Sequence, residues 1–175
     1  MATTTTYPGV YIEEDASPAL SVAAGATAVP IISLANWTDG VMKFNSYFEF
    51  SSYVGGDSTV VDKYADIKAY FECGGGPCYV SKSADLIASV PMYRDITLIV
   101  AAGDTTITTA AISSICGAGS GRFAILDVPP SALQTDGSLK PDGSSSIGFD
   151  AAEYAAAYYP ALSASWSANN ICASS

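Results

Sequence analysis

The chain has 175 residues, 49% of them hydrophobic and only 14% charged, so it can bury a sizeable core and is poorly suited to remaining disordered. Its formal net charge of -10, with 7 basic against 17 acidic residues, argues against contact with nucleic acid or an anionic membrane, because both depend on clustered Lys and Arg. The length fits one compact domain with an extended end or two. A low charge fraction also leaves much weakly polar surface rich in Ser, Thr, Ala and Tyr, which suits burial against other copies.

Met1–Thr6 has neither a basic nor an apolar leader pattern, and no apolar run reaches the length of a membrane span, so no secretory signal and no transmembrane helix are expected. In Tyr7–Glu14, Val10 and Ile12 alternate with Tyr11 and Glu13, the two-residue period of a strand. We read residues 1–20 as an extended N-terminal β-arm. Thr27–Ala35 is a continuous apolar run that predicts a buried strand, with Pro30 marking an edge or a bulge. Asp57–Cys73 has helical spacing, with cap candidates at its start and Gly74 beyond its end. A glycine turn, Gly74-Gly75-Gly76-Pro77, then feeds a short strand at Tyr79–Lys82. Ile96–Ala102 is the clearest buried strand, followed by a helix over Thr105–Cys116 and a strand over Arg122–Val128. Gln134–Gly148 has linker composition, Asp150–Tyr159 reads as an Ala-rich helix, and Ala161–Ser175 shows no period. There is no internal repeat.

This order predicts an α/β fold, a mixed, largely parallel sheet flanked by helices, with residues 21–160 as the core domain and 161–175 as a C-terminal tail.

Few residues here suit catalysis. The chain has no histidine, which removes the usual general base and the Ser-His-Asp and Cys-His arrangements. Asp95, Asp104 and Asp127 fall near strand ends, where ligand sites of open α/β sheets collect. Cap and turn roles explain them more simply, Asp104 as the N-cap of the helix after Gly103. Gly74-Gly75-Gly76 lies between a helix and a strand, the reverse of a phosphate-binding loop, so it reads as a tight turn. The four cysteines, Cys73, Cys78, Cys116 and Cys172, lack the spacing and companion ligands of a zinc site. Free packed thiols are the main reading, with a disulfide, locally between Cys73 and Cys78 or over a longer range, as the alternative. No cofactor is expected. Glu13, Glu14 and Asp15 are either a solvated strand end or one side of an electrostatic contact, and Tyr154, Tyr158 and Tyr159 suit a core face, an interface, or both.

Several of these segments, in this order, resemble the opening of contractile phage tail sheath proteins. Tyr7-Pro8-Gly9-Val10-Tyr11-Ile12-Glu13-Glu14 is similar to the family's proline-glycine-valine-tyrosine start. Ala23–Ala35 resembles its next strand, and Phe71–Val80 its glycine-rich cysteine-tyrosine-valine segment, with Glu72 and Cys73 where a polar residue and Asn are usual. Asp95–Gly103, Arg122–Asp127 and Ala155–Pro160 continue the series. The resemblance implies a self-assembling structural subunit of a virion or phage-tail-like particle, assembled in the host cytoplasm and not an enzyme. It implies a homo-oligomer or helical polymer in which the arm residues Tyr7–Glu14 make inter-subunit contact by strand addition, with tail tube or baseplate proteins as further partners. Sheath proteins continue well beyond the position of Pro160, so the chain reads as a short form without the C-terminal half that grips the tube. Two rivals are a non-polymerising accessory or binding module of such a particle, and a carboxylate-dependent phosphate-ester enzyme built around Asp104 and Asp127.

Overall fold

The computed structural model describes residues 28–103, 109–127, 135 and 154–174. The predicted arm and most of the Gln134–Gly148 linker lie outside these residues.

The strands are β1 (Val29–Ser33), β2 (Met42–Phe44), β3 (Cys78–Ser81), β4 (Ile96–Val100), β5 (Phe123–Asp127) and β6 (Ala155–Tyr158). They form one sheet in the order β2-β3-β1-β4-β5-β6, parallel throughout except for the antiparallel β2–β3 pair. The helices are α1 (Tyr47–Val54), α2 (Asp57–Lys63), α3 (Ala65–Glu72), α4 (Ser83–Ser89) and α5 (Thr109–Ile115), with a 3-10 turn at Val90–Met92. The expected α/β architecture, mixed and largely parallel, is what the chain forms.

Register explains why consecutive apolar residues are needed. Tyr79, Ile31, Ile99, Ala124 and Ala155 stand in line across β3, β1, β4, β5 and β6, and the next residues, Val80, Ile32, Val100, Ile125 and Ala156, form the adjacent row. Because side chains alternate between faces, the first row packs with Leu86, Val90, Ile112 and Ile115 from α4, the 3-10 turn and α5. From the second row, Val80, Ile32 and Val100 pack with Phe50, Val60 and Ile67 from α1, α2 and α3. The central strands are therefore apolar on both faces, as strands of a covered parallel sheet must be.

Several sequence expectations need correction. The single helix over Asp57–Cys73 is two, broken at Tyr64, whose backbone (φ -132, ψ 40) leaves the helical region. The departure places the Tyr64 ring 5.6 Å from Phe50 and 6.1 Å from Trp37, within an aromatic cluster that also holds Phe44 and Tyr53. Pro30 marks a bulge, with the β1–β4 register shifting between Val29 and Pro30, but not an edge, because β1 is paired on both sides. Ala155–Tyr158 is a strand and not part of a helix: alanine's helical preference is small, and pairing with β5 overrides it. Thr109–Ile115 confirms the later portion of the Thr105–Cys116 helix.

β2, α1 and α4 carried no sequence expectation. α1 is opened by Ser46, whose Oγ accepts from the Glu49 amide at 3.2 Å, while Glu49 Oε2 accepts from the Asn45 amide at 2.8 Å. The turn from α3 into β3 requires glycine at position 75, where a Cβ would lie 2.5 Å from the Tyr70 ring.

Candidate assembly surface

The ends of the parallel strands are where an α/β sheet ordinarily offers a ligand site, and here Ser174 binds at the end of β5. Asp127, at the end of β5, accepts hydrogen bonds from the Gly103 amide at 3.0 Å, the Ser174 amide at 3.0 Å and the Ser174 hydroxyl. Asp66 accepts from the Cys172 amide at 2.7 Å, and Asn169 Nδ2 donates to the Asp62 carbonyl at 2.8 Å. An antiparallel bridge between Leu162 and Ile171 folds the tail into a loop, and Trp166 lies over the Lys68 ammonium at 5.4 Å. Ser174 is only 7% exposed.

The carboxylates flagged from sequence are thus dispersed. Asp127 clamps the tail. Asp95 lies near the opposite end of the sheet, 2.8 Å from Lys43 Nζ on β2, and also accepts from the Tyr79 hydroxyl. The hydrogen bond from Lys43 is the main reason the Asp95 carboxyl is held below its usual range, and the same bond raises Lys43. Asp104 lies outside the described residues. Among those residues, no group of three or more His, Cys, Asp or Glu side chains is placed to hold a metal ion, and no helix is long and apolar enough to cross a membrane.

All four cysteines carry free thiols in this structure. Cys73 is exposed just beyond α3, whereas Cys78 opens β3 fully buried, and burial pushes its thiol up to about 12. Cys116 is raised to about 11, also by burial, and Cys172 is raised by burial and by Asp66 and Asp127. Thiols so raised are poor nucleophiles and poor metal ligands at neutral pH. A groove of about 390 Å³ lies beside α1 and α2, lined by Trp37, Asp39, Tyr53 and Tyr64 among others, and its Tyr53 hydroxyl donates to Asp39 at 2.7 Å.

The two outer strands differ. β2 is three residues long and displays Lys43, a charged residue of the kind that discourages pairing. At the other side, β6 pairs with β5 along one edge, and no described strand covers its second edge. Tyr158, Tyr159 and Leu162 cluster along the chain there with 49%, 52% and 56% of their surface exposed, whereas Tyr154 packs against the core. An edge uncovered among the described residues, beside exposed aromatic and aliphatic groups, has the character of a surface that pairs with another chain. Sequence reasoning names Tyr158 and Tyr159 as interface candidates but misses the strand edge, because Ala155–Tyr158 reads as helix. The arm residues Tyr7, Pro8, Gly9, Val10, Tyr11, Ile12, Glu13 and Glu14 lie outside the described residues.

These features define an α/β module in which Asp95 and Asp127 are engaged within its own framework and no described strand covers the outer edge of β6. No family model matches the chain, and no curated protein does. Among solved structures, the chain is similar to one from the PVC sheath complex of an extracellular contractile injection system in its contracted state. That match has 34% identity over 99% of this chain and 49% of the other, with a TM-score of 0.68. A chain of the 6-fold symmetrised anti-feeding prophage (AFP) baseplate matches at 29% identity over 98% of this chain and 50% of its own, TM-score 0.59. One from the AFP baseplate in its contracted state matches at 34% identity over 90% and 45%, TM-score 0.55. The chain spans about half the length of the solved chains it matches. It is a sheath-like protein of the kind found in contractile injection systems.

Proposed function

We propose that the chain is a self-assembling tail-sheath subunit that forms a helical tube or filament by strand addition between copies. Residues 1–20 act as the linking arm, 21–160 as the core and 161–175 as a tail that returns to the core. Its role is structural and not enzymatic, in a phage-tail-like particle assembled in the host cytoplasm, with tube or baseplate proteins as further contacts. The observation that carries this reading is the likeness to a sheath chain over 99% of the present sequence at 34% identity. Occupation of Asp127 by Gly103 and Ser174 supports it by removing the most plausible carboxylate site from solvent-borne substrates.

The test is electron microscopy of the purified chain with and without Met1–Asp15. The intact chain should form long assemblies and the deletion should remain folded but unlinked. Assemblies of unchanged appearance from the deletion would refute the arm's role. A second reading, a baseplate component that does not polymerise, is favoured by the two AFP baseplate neighbours. It requires a monomer or small closed oligomer by light scattering coupled to size-exclusion chromatography.

A further inference from the structure

We propose that the groove beside α1 and α2 binds the guanidinium group of an arginine side chain presented by a partner protein, with Trp37, Tyr53 and Tyr64 as aromatic walls and Asp39 as counter-charge. The inference stands apart from the strand-addition reading, because no residue of the groove belongs to the arm or to β6.

Three separate turns of chain build the groove. Trp37 follows the end of β1, Tyr53 lies in the last turn of α1, and Tyr64 is the break between α2 and α3. The Trp37 ring is buried against Phe44 and Phe50, and stands 6.0 Å from Tyr53 and 6.1 Å from Tyr64. Between them lies the space of about 390 Å³, large enough for a small ligand group and walled mainly by rings with a few polar groups.

The chemistry that these groups leave for a ligand is that of an acceptor. Each ring has its donor hydrogen committed elsewhere: Trp37 Nε1 donates to the Gly40 carbonyl at 2.9 Å, the Tyr53 hydroxyl to Asp39 Oδ2 at 2.7 Å, and the Tyr64 hydroxyl to the Asn36 carbonyl at 3.3 Å. What remains is ring surface and Asp39 Oδ1, and Asp39 makes no ion pair among the described residues. Both tyrosines feel this carboxylate. Its hydrogen bond is the main reason Tyr53 is raised above its ordinary value, and Tyr64 is raised by burial and then by the Asp39 charge. Ring faces are themselves negative, so rings beside a carboxylate attract a cation and repel an anion. A guanidinium suits them better than an ammonium, because its plane stacks on a ring while its edge donates to the carboxylate. The net charge of -10 favours the approach of a basic partner.

Lys63 gives the proposal a sign. It also lines the groove, and among the described residues it makes no ion pair and lies over no ring. As a like charge it opposes an entering cation, so its removal should strengthen binding, whereas removal of Asp39 should weaken it.

The probe is N-acetylarginine amide, titrated at low salt into the Trp166→Phe chain, so that Trp37 is the one tryptophan reporting by fluorescence. The emission should change saturably. Asp39→Asn and Tyr53→Leu should each weaken binding about fivefold, and Lys63→Gln should tighten it about twofold. The neutral isostere N-acetylcitrulline amide should bind about fivefold more weakly than the arginine probe. Should Tyr53→Leu lower thermal stability, Asp39→Asn and Lys63→Gln, both at exposed positions, carry the test. Citrulline amide binding as tightly as the arginine probe would overturn the cation site, as would weakening by Lys63→Gln, no loss in Asp39→Asn, or no saturable response to arginine at all. Choline binding more tightly than the arginine probe would overturn the arginine assignment and give the groove to a free quaternary cation.

Discussion

Replacing Asp127 by Ala should release the tail from the sheet. The carboxylate is the common acceptor for the Gly103 amide, the Ser174 amide and the Ser174 hydroxyl, and so joins the β4 turn, the end of β5 and the last residues of the chain. Hydrogen bonds to a charged group contribute about 1.5–3 kcal/mol each, but bonds sharing one acceptor do not add, and Asp127 is only partly buried. We take about 3 kcal/mol for the whole clamp, which for a chain of this size corresponds to a fall in Tm of roughly 6–12 °C. Asp127→Asn, which keeps an acceptor and loses the charge, should cost about half as much. Thermal unfolding by circular dichroism gives the stability change, and hydrogen exchange at Cys172 and Ser174 shows whether the tail has come loose. A Tm within about 2 °C of wild type for Asp127→Ala, with tail amides still protected, would refute the clamp.

Other consequences are equally direct. In native protein a thiol reagent should modify Cys73 rapidly and Cys78 and Cys116 only on unfolding, because burial lifts the latter two to about 12 and about 11; absence of a fast thiol would point to a Cys73–Cys78 disulfide. Gly75→Ala should destabilise by about 2 kcal/mol through the clash with Tyr70, whereas Gly76→Ala, whose Cβ would meet nothing within 4 Å, should be near neutral in chemical denaturation. Asp95→Asn should show a pH-dependent effect of fixed sign. The folded-state carboxyl lies below its unfolded value, so its stabilisation is complete above the unfolded pKa and is lost as pH falls through the folded one. Wild type and Asp95→Asn should therefore differ slightly at neutral pH and converge in acid, and salt should shrink the difference because the pair is exposed. A gap that widens in acid would contradict the assignment.

What could be read from the sequence depended on whether local pattern or distant contact fixed each element. β1 and β4 were readable because their apolar runs must cover two faces, and the α3–β3 turn because glycines announce it. α1 had a signal that went unused, the Ser46–Glu49 spacing of a helix start. The break at Tyr64 had none, since it arises from a ring reaching Phe50 and Trp37 across the fold. β6 was misread for a related reason: four residues of Ala-Ala-Ala-Tyr favour helix in isolation, and only β5 alongside makes them a strand.

The same distinction applies to the two ends of the sheet. Asp127 looked like a member of a carboxylate site because its position at a strand end is visible in the sequence, while the groups that satisfy it, more than forty residues away at Ser174, are not. Once those donors are in place, the carboxylate holds Ser174 against the end of β5. Among the described residues no strand covers the outer edge of β6, beside which Tyr158, Tyr159 and Leu162 are exposed. Strand addition to such edges in general works through main-chain groups, with side chains setting register and direction. Among the described residues, the strand-end carboxylate Asp127 is engaged within the chain and no strand covers the outer edge of β6, an arrangement that supports the proposed strand addition between copies.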